Sequence, residues 1–170
     1  MNTFQRNEKT GITILKGTVC YSEGPDTLTV REGAYLVFEE GLVAGVFDTL
    51  PEQYAPCPVE DLGNDLIIPG MTDLHVHAPQ FTFRGLGMDR ELLDWLTTYT
   101  FPEEARYKDL AYAKAAYGDF AAHLKNSTTT RACVFATVHT PATVLLMEQL
   151  EAAGIGGFVG RVSMDRNCPD

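Results

Sequence analysis

The residues of this chain best suited to chemistry are His75 and His77, one residue apart in the stretch Ile67-Ile-Pro-Gly-Met-Thr-Asp-Leu-His-Val-His-Ala-Pro-Gln80. An apolar run meets Pro69-Gly70 and continues as a β-type segment, which predicts a strand over 71–77. In a strand, side chains two apart share a face, so both imidazoles project together while Val76 points the other way. Neutral imidazole is the commonest protein ligand for zinc-like ions. Two of them on one rigid strand supply half of a metal site. Ala78-Pro79 ends the strand, since proline cannot continue a central ladder. That puts the histidines at the C-terminal end of the strand, where α/β barrels carry their chemistry. His-x-His also occurs as a structural or surface pair; the apolar lead-in, Asp73 and the closing proline weigh towards a metal.

The elements that must hold this pair differ on its two sides. Before Pro69 the texture is short apolar bursts broken by Gly, Pro and Asp. Strands are predicted over 12–19, 27–31, 34–39, 42–47 and 65–68, with Glu40-Gly41 as a tight hairpin turn. Residues 1–69 therefore read as a small domain, a single β-sheet or β-sandwich-like. After Pro69 the period changes. Residues 91–99 fit a helical turn or two through Leu92, Leu93, Trp95 and Leu96, and Pro102 opens a further turn with Glu103 and Glu104 at its positive end. Residues 109–125 give a helix with Leu110, Ala113, Tyr117, Phe120 and Leu124 in one stripe. A strand over 128–138, a helix over 141–153 capped by Thr140 and closed by Gly154, and a strand over 156–164 follow. Residues 165–170 leave that strand as a loop. Strand, helix, strand, helix, strand predicts a parallel α/β arrangement.

With 45% hydrophobic and 21% charged residues, the composition is that of an ordinary globular protein. A net charge of −10 argues against nucleic acid and anionic membranes as partners. Cys20, Cys57, Cys133 and Cys168 form no Cys-x-x-Cys pair and read as reduced thiols. No signal peptide or membrane-spanning run is evident, so a cytoplasmic location is expected.

Further blocks sharpen the reading: His77-Ala-Pro-Gln80, Gly85-Leu-Gly87, Leu93-Asp-Trp-Leu96, Tyr99-Thr-Phe-Pro-Glu-Glu104 and Phe135-Ala-Thr-Val-His-Thr140. With the Pro-Gly-to-His motif they resemble the guanine deaminase family of the amidohydrolase superfamily, metal-dependent hydrolases built on a (β/α)8 TIM-type barrel. The resemblance implies hydrolysis of guanine to xanthine and ammonia in purine catabolism or salvage. It implies His75 and His77 as ligands of one zinc ion, with iron as the alternative metal. His77, Ala78, Pro79 and Gln80 would bind substrate, Gln80 through a carboxamide that donates and accepts at once. The metal would lower the pKa of its water and supply hydroxide to the carbon bearing the amine. A homodimer is expected of the complete enzyme. The His-x-Glu and Pro-Cys-x-x-Cys signature of other zinc deaminases is absent.

Length sets the limit. Residues 70–170 number 101, against about 250 for a whole barrel. The expectation is an incomplete barrel of three βα units, the N-terminal part of such an enzyme. The remaining ligands, a substrate-gripping arginine and the proton-shuttling acid would lie beyond residue 170, which leaves the catalytic acid unassigned.

Other residues carry double readings. Asp73 orients a ligand or caps backbone. His139, at a predicted strand end, reads as structural or as a residue behind the ligands, and His123 as a helix-surface residue. Trp95 and Phe101 stack on a purine or pack a core. Phe81, Phe83 and Arg84 follow the histidines in a loop that flanks the site, and Leu86 to Asp89 is loop geometry. The alternatives to a guanine deaminase are another amidohydrolase acting on a triazine or pterin, and a non-catalytic incomplete chain serving at most as an interaction module.

Overall fold

A computed structural model describes residues 11–164. The chain divides at the Pro69–Gly70 step into two compact units.

In the first unit, β1 (Ile12–Tyr21), β2 (Thr29–Glu39), β3 (Leu42–Phe47) and β4 (Val59–Ile67) form one sheet in the order β3-β2-β1-β4. Among the described residues this is a single sheet, not the pair of facing sheets expected of a sandwich. The two strands predicted over 27–39 are one. Gly33, at φ 64°, lets β2 bulge where β1 passes from its Gly17–Ala34 pairing to Val19–Arg31. Glu40-Gly41 turns β2 into β3 as expected, both residues at positive φ. β4 starts six residues before the predicted strand. Its apolar pattern is poor, and parallel backbone pairing to β1 with a Lys16–Asp61 ion pair defines it instead. The sheet is apolar on both faces. Ile14 and Val37 pack with Tyr54 from a short turn at Glu52–Tyr54, while Val19, Ala34 and Leu36 form a second cluster.

The second unit opens with β5 (Met71–His77), followed by a 3₁₀ turn over Ala78–Phe83. A helical run comes next: α1 (Leu92–Trp95), a wider turn at Leu96–Thr100 with the Phe101 N–H bonded to the Leu96 carbonyl, and α2 (Phe101–Ala105). The wide turn was not predicted. It falls just before Pro102, which has no N–H to offer the regular ladder. The Thr97 hydroxyl donates to the Leu93 carbonyl at 3.0 Å in the same stretch. Leu92 and Leu93 are exposed, so the expected apolar face of this segment reduces to Trp95 and Leu96.

Helix α3 (Leu110–Lys125) begins where Asp109 accepts from the Ala111 N–H. Ala113, Ala116, Tyr117, Phe120, Ala121 and Leu124 are its buried face, while Leu110, expected on that face, is 48% exposed. A three-stranded parallel sheet runs β5-β6-β7, with β6 (Thr129–Phe135) and β7 (Gly156–Gly160) joined by α4 (Thr140–Ala153). Both strands stop short of the predicted ends. Proline terminates β5 at His77, which pairs with Phe135, and Phe135 in turn pairs with Gly160. Beyond that line the regular ladders give way to single backbone bonds, the Val162 N–H reaching the Thr137 carbonyl at 3.2 Å. The N-cap of α4 is His139, one residue before the predicted Thr140. Its C-terminus closes on Gly154 at φ 78°, the Ile155 N–H reaching the Leu150 carbonyl at 2.9 Å. The core of the unit lies between the sheet and α3–α4, around Tyr107, Tyr117, Phe120, Val134 and Leu146. Among the described residues no helix is long and apolar enough to cross a membrane.

Candidate functional site

The period-two argument brings His75 and His77 together at the end of β5. Their Nε2 atoms are 3.2 Å apart. Both rings rest on Phe135 from β6, with centroids at 4.7 and 4.8 Å and His77 stacked nearly parallel to the phenyl ring. Register explains this: His77 and Phe135 are paired on neighbouring parallel strands and so face the same way. Asp73 accepts from the His75 backbone N–H at 3.0 Å, which is the backbone role of its two readings.

This pair fits a metal ion. Two ligands of a tetrahedral zinc at about 2.05 Å stand roughly 3.3 Å apart, close to the observed separation of the two Nε2 atoms. Burial, then the neighbouring His75, hold the His77 pKa below the usual histidine value. Its lone pair is therefore free near neutral pH. The His77 Nδ1 atom is buried without a hydrogen-bond partner. Among the described residues no third His, Cys, Asp or Glu joins the two to make a full donor set.

The 3₁₀ turn carries Ala78, Pro79 and Gln80 directly after the histidine pair. Ala78 and Pro79 are buried, and the Tyr107 hydroxyl donates to the Pro79 carbonyl at 3.3 Å. Glu104, on the helical run that follows, is an acid only 8% exposed. Burial pushes the Glu104 carboxyl up to about 7 against the opposing pull of Gln80. Its neighbour Glu103 faces a different environment. Burial raises it, but donors from Tyr112, Thr82 and Arg106 outweigh that and leave it below the ordinary value. Thr82 reaches Glu103 at 2.8 Å and Arg106 at 2.8 Å. The sequence offered Glu103 and Glu104 alike as favourable charges at a helix start.

The remaining candidates separate cleanly. Trp95 donates to the Leu86 carbonyl at 2.9 Å and packs on Phe83. Gly87, at φ 67°, sits so close to Tyr99 and Trp95 that a Cβ there would lie 2.5 Å from the Tyr99 ring, so the Gly85–Gly87 segment serves packing. Arg84 lies over the Phe81 ring and bonds the Phe81 carbonyl, tied to its own turn. His123 is exposed beside Phe81. His139 has a buried Nε2 without a partner, while its backbone N–H donates to Thr137 Oγ1 at 3.2 Å. Phe101 is half-buried.

The model of the amidohydrolase family matches residues 66–170. This chain is an amidohydrolase family member. The family is generally metal-dependent. Over 112 residues this amidohydrolase chain is 45% identical to the guanine deaminase of Dictyostelium discoideum, a match covering 66% of this chain and 25% of that one. Against the human guanine deaminase the identity is 42% over 116 residues, covering 67% and 25%. The crystal structure of a guanine deaminase from C. acetobutylicum, with guanine bound in its active site, aligns at a TM-score of 0.90 and 45% identity. That alignment covers 94% of the amidohydrolase chain and 38% of the solved one. The chain thus spans about a quarter of the length of the curated relatives it matches.

Proposed function

We propose that this chain supplies the opening part of a guanine deaminase, which hydrolyses guanine to xanthine and ammonia. The observation that carries the reading is the paired imidazole edge, with Gln80 three residues on, in a chain 45% identical over nearly its whole length to a guanine-bound enzyme. On this reading the parallel sheet β5-β6-β7 opens an eight-stranded barrel, with the four-stranded sheet preceding it.

His75 and His77 hold zinc, or iron, and a metal bound there supplies an activated water for attack on the ring carbon that bears the amine. The rest falls to the chain's own residues. His77 stays unprotonated because burial and His75 both disfavour its charge. Ala78 and Pro79 line the turn and fix its height by packing, and Gln80 binds the purine edge with one donor and one acceptor. The proton-shuttling acid comes from outside these 170 residues. A homodimer in the cytoplasm completes the proposal.

The test is an assay of the complete polypeptide carrying this chain. Guanine absorbance should fall with stoichiometric release of ammonia, while triazines and pterins are left unchanged. Turnover of a triazine or pterin in preference to guanine would replace the substrate assignment.

A further inference from the structure

We propose that Tyr107 is a positioning residue for Gln80, its hydroxyl fixing the Pro79–Gln80 peptide while Glu103 holds the far end of the same turn through Thr82; this rests on the guanine deaminase reading. The Tyr107 hydroxyl donates to the Pro79 carbonyl at 3.3 Å, across 28 positions of chain. That oxygen belongs to the peptide unit that ends at the Gln80 Cα, and the unit is planar. Holding the oxygen therefore sets where the Gln80 side chain starts.

Two tyrosines grip the two ends of the turn. Tyr107 reaches Pro79 directly. Tyr112, in the first turn of α3, donates to Glu103, and the same carboxylate oxygen accepts from Thr82 at 2.8 Å. Arg106 holds the other oxygen at 2.8 Å, its guanidinium lying 3.8 Å from the centre of the Tyr112 ring. The Thr82 hydroxyl also stands 3.3 Å from the Pro79 carbonyl. It has one hydrogen to give, and the shorter distance and the negative charge both favour Glu103. The Pro79 oxygen is thereby left to Tyr107. The fixed points are residues 79 and 82, and half-buried Gln80 lies between them. The tyrosine rings are held in turn. Tyr107 meets Tyr112 edge-on at 5.3 Å between centroids and Tyr117 at 4.6 Å, and it is fully buried. Phenylalanine would fill that space without burying a hydroxyl, which costs free energy unless it is bonded. What the hydroxyl adds is its bond, and the bond goes to the carbonyl that adjoins Gln80. Burial, more than its neighbours, raises the Tyr107 pKa and keeps it a donor at neutral pH.

A double-mutant cycle on the complete, metal-loaded protein tests this, using Tyr107→Phe, Thr82→Val, Gln80→Ala and the two double variants. Tyr107→Phe keeps the ring and removes the donor. It should lower kcat/KM for guanine about tenfold, through KM, with kcat and metal content unchanged. Thr82→Val cuts the link to Glu103 at an exposed position and should lower kcat/KM about fivefold. In the Gln80→Ala background either change should cost less than about twofold, because both act through Gln80. A loss of packing alone would persist in that background. Losses that persist in full, or single variants with normal kinetics, would overturn the proposal. If Tyr107→Phe does not fold, the Thr82→Val arm decides in the same way. Wild-type protein that leaves guanine untouched counts against the deaminase reading instead. The positioning role is then decided by crystal structures of wild type and Tyr107→Phe. A Pro79–Gln80 peptide turned in the variant supports it, and one unmoved overturns it.

Discussion

At the end of β5 two imidazoles present their Nε2 atoms to one point, with Phe135 beneath them and no third donor among the described residues. Three residues further on, Gln80 sits on a turn anchored through Tyr107 and Glu103, both from this chain. The first corner presents two donors with no third among the described residues; the second is anchored by side chains within this chain. A histidine ligand needs only a shared strand face, which two residues provide. A carboxamide that reads a ring edge needs its own orientation fixed, which takes a supporting layer. The described residues therefore hold two imidazole donors and much of the frame behind the Ala78–Gln80 turn.

The largest effects belong to the half-built corner. A catalytic zinc takes three protein ligands and an open position, so the 170 residues alone should retain zinc weakly and turn over no guanine. Multiple turnovers from a pure monomeric sample of verified mass would break the comparison. In the complete protein, His75→Ala with His77→Ala should reduce metal to background. Activity should fall well beyond the roughly 10–100-fold expected for loss of a residue behind a metal ligand. Full metal content in that variant removes the pair from the site.

Next in size is Gln80→Ala. It should keep the metal and lose about 100-fold in kcat/KM on guanine, or about 2.7 kcal/mol of transition-state binding. Loss of metal would merge the two corners into one. Normal kinetics would remove Gln80 altogether.

The two corners were unequally legible in the sequence. His75 and His77 need only period two and a closing proline, both visible in a linear reading. The helix over 109–125 and the Gly154 cap rest on equally local rules, and the structure follows them. Glu104 depends on something else. Pro102-Glu103-Glu104 looks like acids in a first helical turn, and nothing local says that one faces solvent-side Arg106 while the other is buried. That split arises from the wide turn before Pro102, which resets the rotation of the following helix. Leu110 failed for a related reason: it matched the stripe by spacing, yet sits at the first turn of α3, exposed. The Gly33 bulge was likewise invisible, since a glycine inside an apolar stretch reads as a break when it only shifts the register.

The difference between Glu103 and Glu104 also predicts a pH dependence. Glu104 has a folded pKa near 7 against 4.5 as its ordinary value, so folding favours its neutral form. The associated stability is present in full below about pH 4.5 and is lost as the pH rises through about 7. Relative to Glu104→Gln, wild type should lose about 2–3 kcal/mol between those limits. Glu103 and His77, both shifted down, titrate in both proteins and cancel in the difference. Denaturant unfolding of both proteins at a series of pH values reads it. A flat difference would mean that Glu104 is solvated and the second corner is less closed than described.

The smallest expected effect concerns the floor of the metal corner. Phe135 touches both histidine rings, and its stacked contact with His77 restricts the ring rotation that would separate the two Nε2 atoms. Phe135→Leu keeps an apolar side chain at the end of β6 but removes the flat surface. Aromatic contacts of this kind are worth about 0.5–1.5 kcal/mol beyond their buried area, so metal affinity should weaken by about two- to tenfold. The stoichiometry should be unchanged, because both ligands remain. KM for guanine should stay within about twofold, because the turn that carries Gln80 is anchored by Tyr107 and Glu103 and not by Phe135, and a tenfold effect in metal affinity is only about 1.4 kcal/mol. Metal competition with a chelator measures the first quantity and steady-state kinetics at saturating metal the second. A variant that binds metal normally but loses its grip on guanine would show that Phe135 supports the substrate corner, and that the two corners share a floor.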